Sequence, residues 1–463
     1  MENQKPKISV ILPSLNVEEF ISECIESVIS QTLNEIEIIC VDAGSTDGTM
    51  EILEKYSQRD SRIKIINSDK KSYGYQMNLG ISAATGEYIG IVETDDYIDK
   101  KMYETLYDLT KNGTTDISKV SFFHVHDYDI DNIEFIPDNT KSKCPKDVFS
   151  IYDDVNILRG HPSIWAAIYK RDFLKKNNIS FMEVPGGGWV DNPFLFQTFL
   201  SAKSITFRNE HCYYYREFNP KSSTNSMKDL TLPMRRMSDN LDLLDSFSCN
   251  DEDILSALYT HIFWHINETL KKDNYPNEKD LVDSYITKTV NRLEESIIIN
   301  NFGLRNQRLY YQFLDNSNFE STILNTTAMV EDNLDDEKIF NKKMKIIFLR
   351  YDNTKQGHKE RFFNLIQNNF KELVNNEDHN EFISNLTPFN SNLFNLVLES
   401  KSFNEFDLSY DILKISEENK KLNNKNKKLI RDIKKSEDNI NYIINSKSWK
   451  ITKPLRKFKE LLR

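Results

Sequence analysis

Long apolar runs are missing from this sequence of 463 residues: no stretch is long enough to span a bilayer, and no signal peptide opens it. A cytoplasmic location is the corresponding expectation. Cysteine is scarce and scattered. Cys24, Cys40, Cys144, Cys212 and Cys249 contain no Cys-x-x-Cys pair, which argues against both a zinc site and a disulfide framework. Positive charge is not in excess, with 60 Lys and Arg against 71 Asp and Glu, and the net charge of −11 argues against nucleic-acid binding. Hydrophobic content is a modest 39%, whereas 21 Tyr and 28 Phe are generous for packing. No internal repeat is evident. The length predicts two or three domains with a sizeable core.

What is present begins with a βα rhythm. Ile8-Ser9-Val10-Ile11-Leu12 has a buried-strand pattern, stopped by Pro13-Ser14-Leu15-Asn16. Val17, Phe20, Ile21, Cys24, Ile25, Val28 and Ile29 then follow helical spacing, with Ser14 or Asn16 as the expected cap. A second strand, Glu37 to Val41, runs into the polar loop Asp42-Ala43-Gly44-Ser45-Thr46-Asp47-Gly48-Thr49. Such a loop supplies backbone N–H groups and an acceptor carboxylate at a sheet edge. Ile63 to Ile66 reads as a third strand, and Tyr73 to Gly80 opens a short helix ending near Gly86. Right-handed crossovers place these strands in one twisted, mostly parallel sheet.

The strand Tyr88 to Val92 ends in Glu93-Thr94-Asp95-Asp96, which puts carboxylates at the carboxyl edge where open α/β sheets bind ligands. Spaced carboxylates on a tight turn are hard oxygen ligands, suited to Mg²⁺ or Mn²⁺ that also grips a diphosphate. Standing alone, such a turn is more simply a solvated acidic loop. The three upstream features give it weight.

Pro13 to Asn16, Asp42 to Thr49, Gly74 to Gly80 and Glu93 to Asp96 together resemble the successive signatures of family 2 glycosyltransferases of the GT-A fold. The resemblance continues in Val190-Asp191-Asn192-Pro193-Phe194, similar to the family's Glu-Asp-x-x-Phe helix start, and ends near Tyr213-Tyr214-Tyr215-Arg216. It covers roughly the first half of the chain. It implies an α/β, GT-A, Rossmann-like mixed sheet (the nucleotide-diphospho-sugar transferase type) followed by a mainly helical C-terminal region. Pro13, Ser14, Leu15, Asn16, Asp42 and Gly44 would hold the nucleotide of a UDP-sugar donor, with Asp42 accepting the uracil imide hydrogen. Gly74, Gln76 and Asn78 would line the nucleotide-sugar cleft, with Thr94 beside them.

Asp95 matches the metal-binding acid of the family's DxD motif, and Glu93 stands where its first Asp usually is, one methylene longer. Met77 occupies a position where many relatives carry Arg. A divalent ion, Mn²⁺ or Mg²⁺, neutralises charge on the departing diphosphate, and an acceptor hydroxyl needs a carboxylate base. Asp191 matches the family's base; as a helix-start residue it is also a cap, and the two roles are compatible. Attack opposite the leaving group inverts the anomeric centre. On the acceptor side stand His161, Trp165, Trp189 after Gly186-Gly187-Gly188, and Arg216; for Trp165 a core role is equally expected. The resemblance, in which a late metal ligand often comes from this region, makes His211 or Asn219 a candidate for it; a lone histidine is more often structural.

The resulting organisation is a catalytic domain over 1–228, a mainly helical domain over 229–408, a candidate coiled-coil helix over 409–445 and a basic amphipathic tail over 446–463. In the helical region Lys343 to Leu349 fits either a short strand or a helix start, and Glu360 to Val374 and Asp378 to Phe406 read as helices. Ile415, Leu422, Leu429 and Ile443 recur at heptad positions with Ile412, Ile433 and Ile440 beside them; Asn419 and Asn426 interrupt that second stripe. A homo-oligomer is the matching partner expectation, and an exposed single helix the alternative. The tail interleaves Lys and Arg with Trp449, Ile451, Leu455 and Phe458, suiting the anionic inner face of the cytoplasmic membrane. It resembles the endings of bacterial surface-polysaccharide glycosyltransferases, which implies a capsular or related polymer and a saccharide acceptor on a lipid carrier.

The absence of spans and of a Gln-x-x-Arg-Trp sequence separates the chain from processive membrane synthases. A sugar nucleotidyltransferase would want a Gly-x-Gly-x-Arg loop where Pro13 to Asn16 stands. A non-catalytic scaffold is disfavoured by the presence of both Asp95 and Asp191. Among donors, glucuronic acid comes first because Lys70, Lys71 and Arg171 offer cations for a carboxylate; N-acetylhexosamine and hexose remain alongside it.

Overall fold

A computed structural model describes residues 5–126, 133–139, 146–217, 229–314, 344, 346–349, 351–352, 356–374 and 387–445. The chain divides into two compact units, Met1–Leu314 and Asp315–Arg463.

The first unit is built on a 9-stranded sheet of order β3-β2-β1-β4-β8-β6-β9-β5, with β7 paired to β6. The strands are β1 (Ile8–Ser14), β2 (Ile36–Asp42), β3 (Ile63–Asn67), β4 (Tyr88–Ile91), β5 (Tyr97–Ile98), β6 (Ile117–His126), β7 (Glu134–Pro137), β8 (Ala167–Lys170) and β9 (Ile205–Arg216). β1 to β4 are parallel, and β1 and β2 are buried along their whole length, so they read as mainly apolar runs in which the polar Ser9 and Glu37 are hydrogen-bonded to each other. Beyond β4 the sheet turns mixed: β8 is antiparallel to β4 and β6, while β9 runs parallel to β6 and antiparallel to β5. The mostly parallel sheet expected from the βα rhythm is therefore confined to β1–β4. Because β1 lies between β2 and β4, its carboxyl end is a topological switch point, where open sheets form a crevice.

Helices α1 (Ile21–Ile29), α2 (Thr49–Ser57), α3 (Tyr73–Ala83), α4 (Met102–Leu109), α5 (Asn156–Arg159), α6 (Arg171–Lys176) and α7 (Asp191–Ser201) connect the strands. The expected cap of α1 is corrected here. The helix starts at Ile21 after Phe20, Ser14 belongs to β1, and Asn16 sits at φ 54° with its side chain turned to the 42–49 loop. Its oxygen accepts the Thr46 N–H, so it has none to offer the helix.

Helices α8 (Leu232–Ser246), α9 (Glu252–Leu270), α10 (Tyr275–Val290), α11 (Glu295–Asn301) and α12 (Leu304–Phe313) belong to the same compact unit as the sheet. The division falls after Leu314, not at 228/229 where the composition changes. The cause is packing: α8 lies on α7, and α9 buries Ile254, Leu258, Ile262 and Ile266 while contacting α5 and α8.

The second unit contains α13 (Gln356–Val374), α14 (Pro388–Glu399) and α15 (Phe403–Asn445), with helical residues also within 344–352. Its core is strongly aromatic, joining Phe348, Tyr351, Phe363, Phe394, Phe406 and Tyr410. The single helix expected over 378–406 is broken. Pro388 opens α14 behind a Thr387 cap, and α15 starts anew at Phe403. On its outer side α15 leaves Leu408, and past the core Ile412, Ile415, Leu422, Leu429 and Ile430, between 49% and 67% exposed. The tail over 446–463 lies outside the described residues.

Candidate active site

At the switch point, Ser14 and Asp42 are register neighbours at the ends of β1 and β2. The Asp42 carboxylate is buried and accepts the N–H groups of Gly44 (2.8 Å) and Ser45 (2.9 Å) and the Ser45 hydroxyl (2.5 Å). Gly44 takes φ 78°, a left-handed turn that glycine makes at no steric cost. Asn16 clips the loop to β1, its N–H donating to Ser45 Oγ at 2.9 Å and its Oδ1 accepting from Thr46 at 2.8 Å. Leu15 is exposed beside this loop, and the buried Ser14 hydroxyl has no hydrogen-bond partner.

The α3 residues build walls. Gln76 Nε2 donates to the carbonyls of Ser14 (2.9 Å) and Val41 (2.7 Å), tying the ends of β1 and β2 together. Asn78 exchanges hydrogen bonds with the Phe181 backbone in both directions, at 2.9 Å each. A Cβ on Gly74 would stand 2.0 Å from the Met182 carbonyl oxygen, so only glycine allows this approach. All three side-chain positions are committed to scaffold contacts.

The acid turn is held from β9. Thr94 Oγ1 donates to the Pro13 carbonyl at 2.7 Å. Asp96 is buried and satisfied by the Tyr213 hydroxyl (2.8 Å) and the Arg216 N–H (2.8 Å), which makes it an anchor of the turn. The Arg216 guanidinium donates to the Asp95 carbonyl (2.7 Å) and to Glu23 (2.5 Å), and lies 4.8 Å from the Tyr97 ring centroid. Glu93 accepts the Tyr73 hydroxyl at 2.6 Å. Burial, with Asp95 and Asp191 nearby, pushes Glu93 up to about 8.

A cavity of about 610 Å³ opens beside this turn and collects the second half of the expected residues. Glu93, Asp95, His161, Trp165, Trp189, Asp191 and Arg216 all line it, whereas the 13–16 and 42–44 segments, Gln76 and Asn78 do not. Asp191 opens α7, and burial raises it to about 6 even though the Asn192 N–H works the other way. Trp165 is both wall and core: it is buried and stacks on Tyr213 at 3.9 Å. His161 is neutral, lowered to about 3 by burial and by His124.

His211 does not reach the cavity. Its Nε2 meets the Asp138 carbonyl at 3.1 Å and its ring packs on Phe123, while Asn219 lies outside the described residues. The donor-directed cations are occupied elsewhere too. Lys70 pairs with Glu183 at 3.4 Å, Arg171 donates to the Ala84 carbonyl at 2.8 Å, and neither they nor Lys71 lines the cavity.

Several lining groups were absent from the sequence-level candidates. Thr260, His261, Trp264 and His265 come from α9, His124 from β6, and Asp138 and Glu217 from just past the ends of β7 and β9. His124 is bonded to Glu217 at 2.7 Å, and Asp138 and Glu217 together raise it to about 9. The only sequence signal for α9 is the i, i+1, i+4, i+5 recurrence of Thr, His, Trp and His on a mostly apolar helix.

Among the described residues, no group of three or more His, Cys, Asp and Glu side chains is disposed to hold a metal ion. A cation bound mainly through a substrate diphosphate needs fewer protein ligands, commonly one or two carboxylates. The turn offers that set in Asp95 and Glu93, while Asp96 is spent on Tyr213 and Arg216.

Residues 9–176 match the family described as Glycosyl transferase family 2. The chain is 33% identical over 226 residues to the uncharacterized glycosyltransferase EpsJ of Bacillus subtilis, covering 47% of this chain and 63% of EpsJ. It therefore spans less than two thirds of that relative's length. It is 31% identical to the glycosyltransferase GlyG of Streptococcus pneumoniae, over 45% of this chain and 70% of GlyG. Among solved structures, S. aureus TarS 1-349 in complex with UDP-GlcNAc superposes with a TM-score of 0.54 at 19% identity, over 66% of this chain and 86% of that one. The shared element is the fold.

Proposed function

The chain belongs to glycosyl transferase family 2, and on that footing we propose that it moves a sugar from a UDP-linked donor to a saccharide hydroxyl with inversion. The observation that supports this most is the convergence on one cavity of the Glu93–Asp95 turn and of Asp191, a carboxyl that burial raises to about 6. A base with that proton affinity is ionised at neutral pH yet accepts a hydroxyl proton more readily than an ordinary aspartate. Asp191 takes the acceptor proton, Arg216 and Tyr213 fix the acid turn, and the nucleotide lies along the Asn16 and Asp42 loops. Asp95, with Glu93, would hold a Mn²⁺ or Mg²⁺ ion, which when bound neutralises charge on the diphosphate.

For the donor, Lys70 and Arg171 are engaged with Glu183 and the Ala84 carbonyl, which weakens the case for placing glucuronic acid first and leaves it resting on Lys71. UDP-N-acetylhexosamine and UDP-hexose become the first to assay; the TarS chain of the same fold is the one solved with UDP-GlcNAc. The polymer served is a capsular or other surface polysaccharide. The 446–463 tail is the contact with an anionic membrane and α15 the contact between copies, and no helix among the described residues is long and apolar enough to cross a bilayer. UDP release from a donor panel, with and without Mn²⁺ and short glycan acceptors, is the test. No release from any donor under any of these conditions would favour a non-catalytic scaffold.

A further inference from the structure

We propose that Trp189, Trp264 and His265 form a subsite for an uncharged pyranose ring of the acceptor, an inference that rests on the transferase reading above. Trp264 is 52% exposed, whereas its helix neighbours Tyr259 and Phe263 are buried. A single exposed aromatic is ordinary, but this one lines a concave wall shared with the base Asp191.

The independent observation is His265. Its ring is 4% exposed and lines the same cavity, and neither ring nitrogen has a hydrogen-bond partner. Buried polar groups are nearly always paired, so an orphan imidazole facing a cavity marks a place where a ligand supplies the partner. Burial, with His261 and His161 nearby, lowers His265 to about 3, which leaves the ring neutral. A neutral imidazole has one donor and one acceptor. A hydroxyl matches both, whereas a phosphate or carboxylate only accepts.

The indoles complete the site. The Trp264 and Trp189 rings each lie 4.8 Å from the His265 ring, at 69° and 44°. Trp189 is held at φ 53°, which a bulky residue rarely adopts, between Gly188 at φ 64° and the start of α7. Apolar faces around a hydroxyl-binding group suit a sugar ring, whose C–H face is apolar and whose edge carries hydroxyls. Charge points the same way. Asp95, Asp138, Asp191 and Glu217 line the cavity against one charged imidazole, His124, which is paired with Glu217, and the two arginines are engaged, Arg159 with Asp253 and Arg216 with Glu23. An anionic acceptor unit would meet repulsion.

The test is equilibrium binding read by intrinsic tryptophan fluorescence on the full chain. The probes are methyl β-glucopyranoside, methyl β-galactopyranoside and methyl β-N-acetylglucosaminide, with glucose 6-phosphate as the charged counterpart and UDP titrated separately by calorimetry. At least one neutral glycoside binds, and glucose 6-phosphate binds more weakly. Trp264→Ala and His265→Leu each weaken the glycoside by about tenfold, while His265→Asn, which keeps a donor and an acceptor, stays within about threefold. Parental glycoside affinity in both Trp264→Ala and His265→Leu overturns the subsite, as does tighter binding of glucose 6-phosphate. UDP binding without any glycoside binding refutes the subsite and leaves the transferase reading standing. Glycoside binding without UDP binding does the reverse.

Discussion

Asp191→Asn separates proton transfer from architecture. The carboxyl opens α7 against the cavity, and burial raises it to about 6. An ordinary aspartate titrates near 3.9, so ionisation costs the folded protein roughly 3 kcal/mol more here, an upper figure for a side chain only partly out of water. The sign follows from proton counts. Between about pH 4 and 6 the folded protein holds a proton that the unfolded chain has released, so stability falls as pH rises through that window. Turnover does the opposite, because only the ionised base accepts the hydroxyl proton. The kcat profile of the parent therefore rises through about pH 6.

In Asp191→Asn the amide keeps the volume and removes the acceptor of the proton. kcat should fall by roughly 10²–10⁴ and the limb near pH 6 should vanish. The variant should also melt higher than the parent above pH 6, since it no longer carries the unfavourable anion. UDP affinity by calorimetry should persist, because the Asn16 and Asp42 loops proposed to hold the nucleotide are wired to one another and not to Asp191. Parental kcat in the variant would refute the base. A loss of UDP affinity equal to the loss of rate would show Asp191 to be a structural residue of the first turn of α7 alone, since Val190 and not Asp191 is the cap of that helix.

Asp95→Asn should abolish Mn²⁺-dependent UDP release with little change in melting temperature, and Glu93→Gln should harm it less; a parental rate in Asp95→Asn would move the metal elsewhere. Burial opposes ionisation of Glu37, but hydrogen bonds from Lys64, Ser9 and Thr85 hold it at about 2. Its depressed value stabilises the fold fully above about pH 4.3 and loses effect as pH falls towards 2, so the parent's melting temperature should drop more steeply over that range than that of Glu37→Gln. Ile415→Asp with Leu422→Asp should convert self-associated full-length protein to monomer by light scattering, and a monomeric parent would remove α15 as an interface. Truncation after Asn445 should abolish salt-sensitive sedimentation with anionic vesicles while sparing turnover of a soluble acceptor; unchanged vesicle binding would show that the tail is not the anchor.

The donor half of the fold was legible because its signals are local. Apolar runs gave β1 to β4, and the polar turns after β1, β2 and β4 mark the sheet edge. The Asn16 cap failed because a longer contact, to Thr46 in the next loop, won the side chain. The scaffold roles of Gln76 and Asn78 were hidden for the same reason: their partners at Val41 and Phe181 lie 35 and 103 residues away. The 228/229 boundary differs from the compact division after Leu314 because composition changes where helices begin, whereas compactness follows what they pack on, and α9 packs on α5. In α9 an exposed Trp and an orphan His have no sequence pattern apart from one helical face.

The division of labour within the chain has a consequence for specificity. Residues 9–176 match the family and contain the acid turn, His161 and Trp165. Asp191, Trp189, Arg216, Trp264 and His265 come later, from α7, β9 and α9 or beside them, yet line the same cavity. The two parts are mechanically joined at Asp96, whose carboxylate accepts from Tyr213 and from the Arg216 backbone, and at the Asp95 carbonyl, which accepts from the Arg216 side chain. The geometry of the acid turn is thus set by β9, while α9 contributes wall without touching the turn's hydrogen bonds. Changes on α9 can alter the acceptor while leaving the acid turn in place; changes at Tyr213 or Arg216 cannot, because they release the turn itself. Substitutions in α9 should therefore appear in the acceptor KM, and substitutions in β9 in kcat for every acceptor.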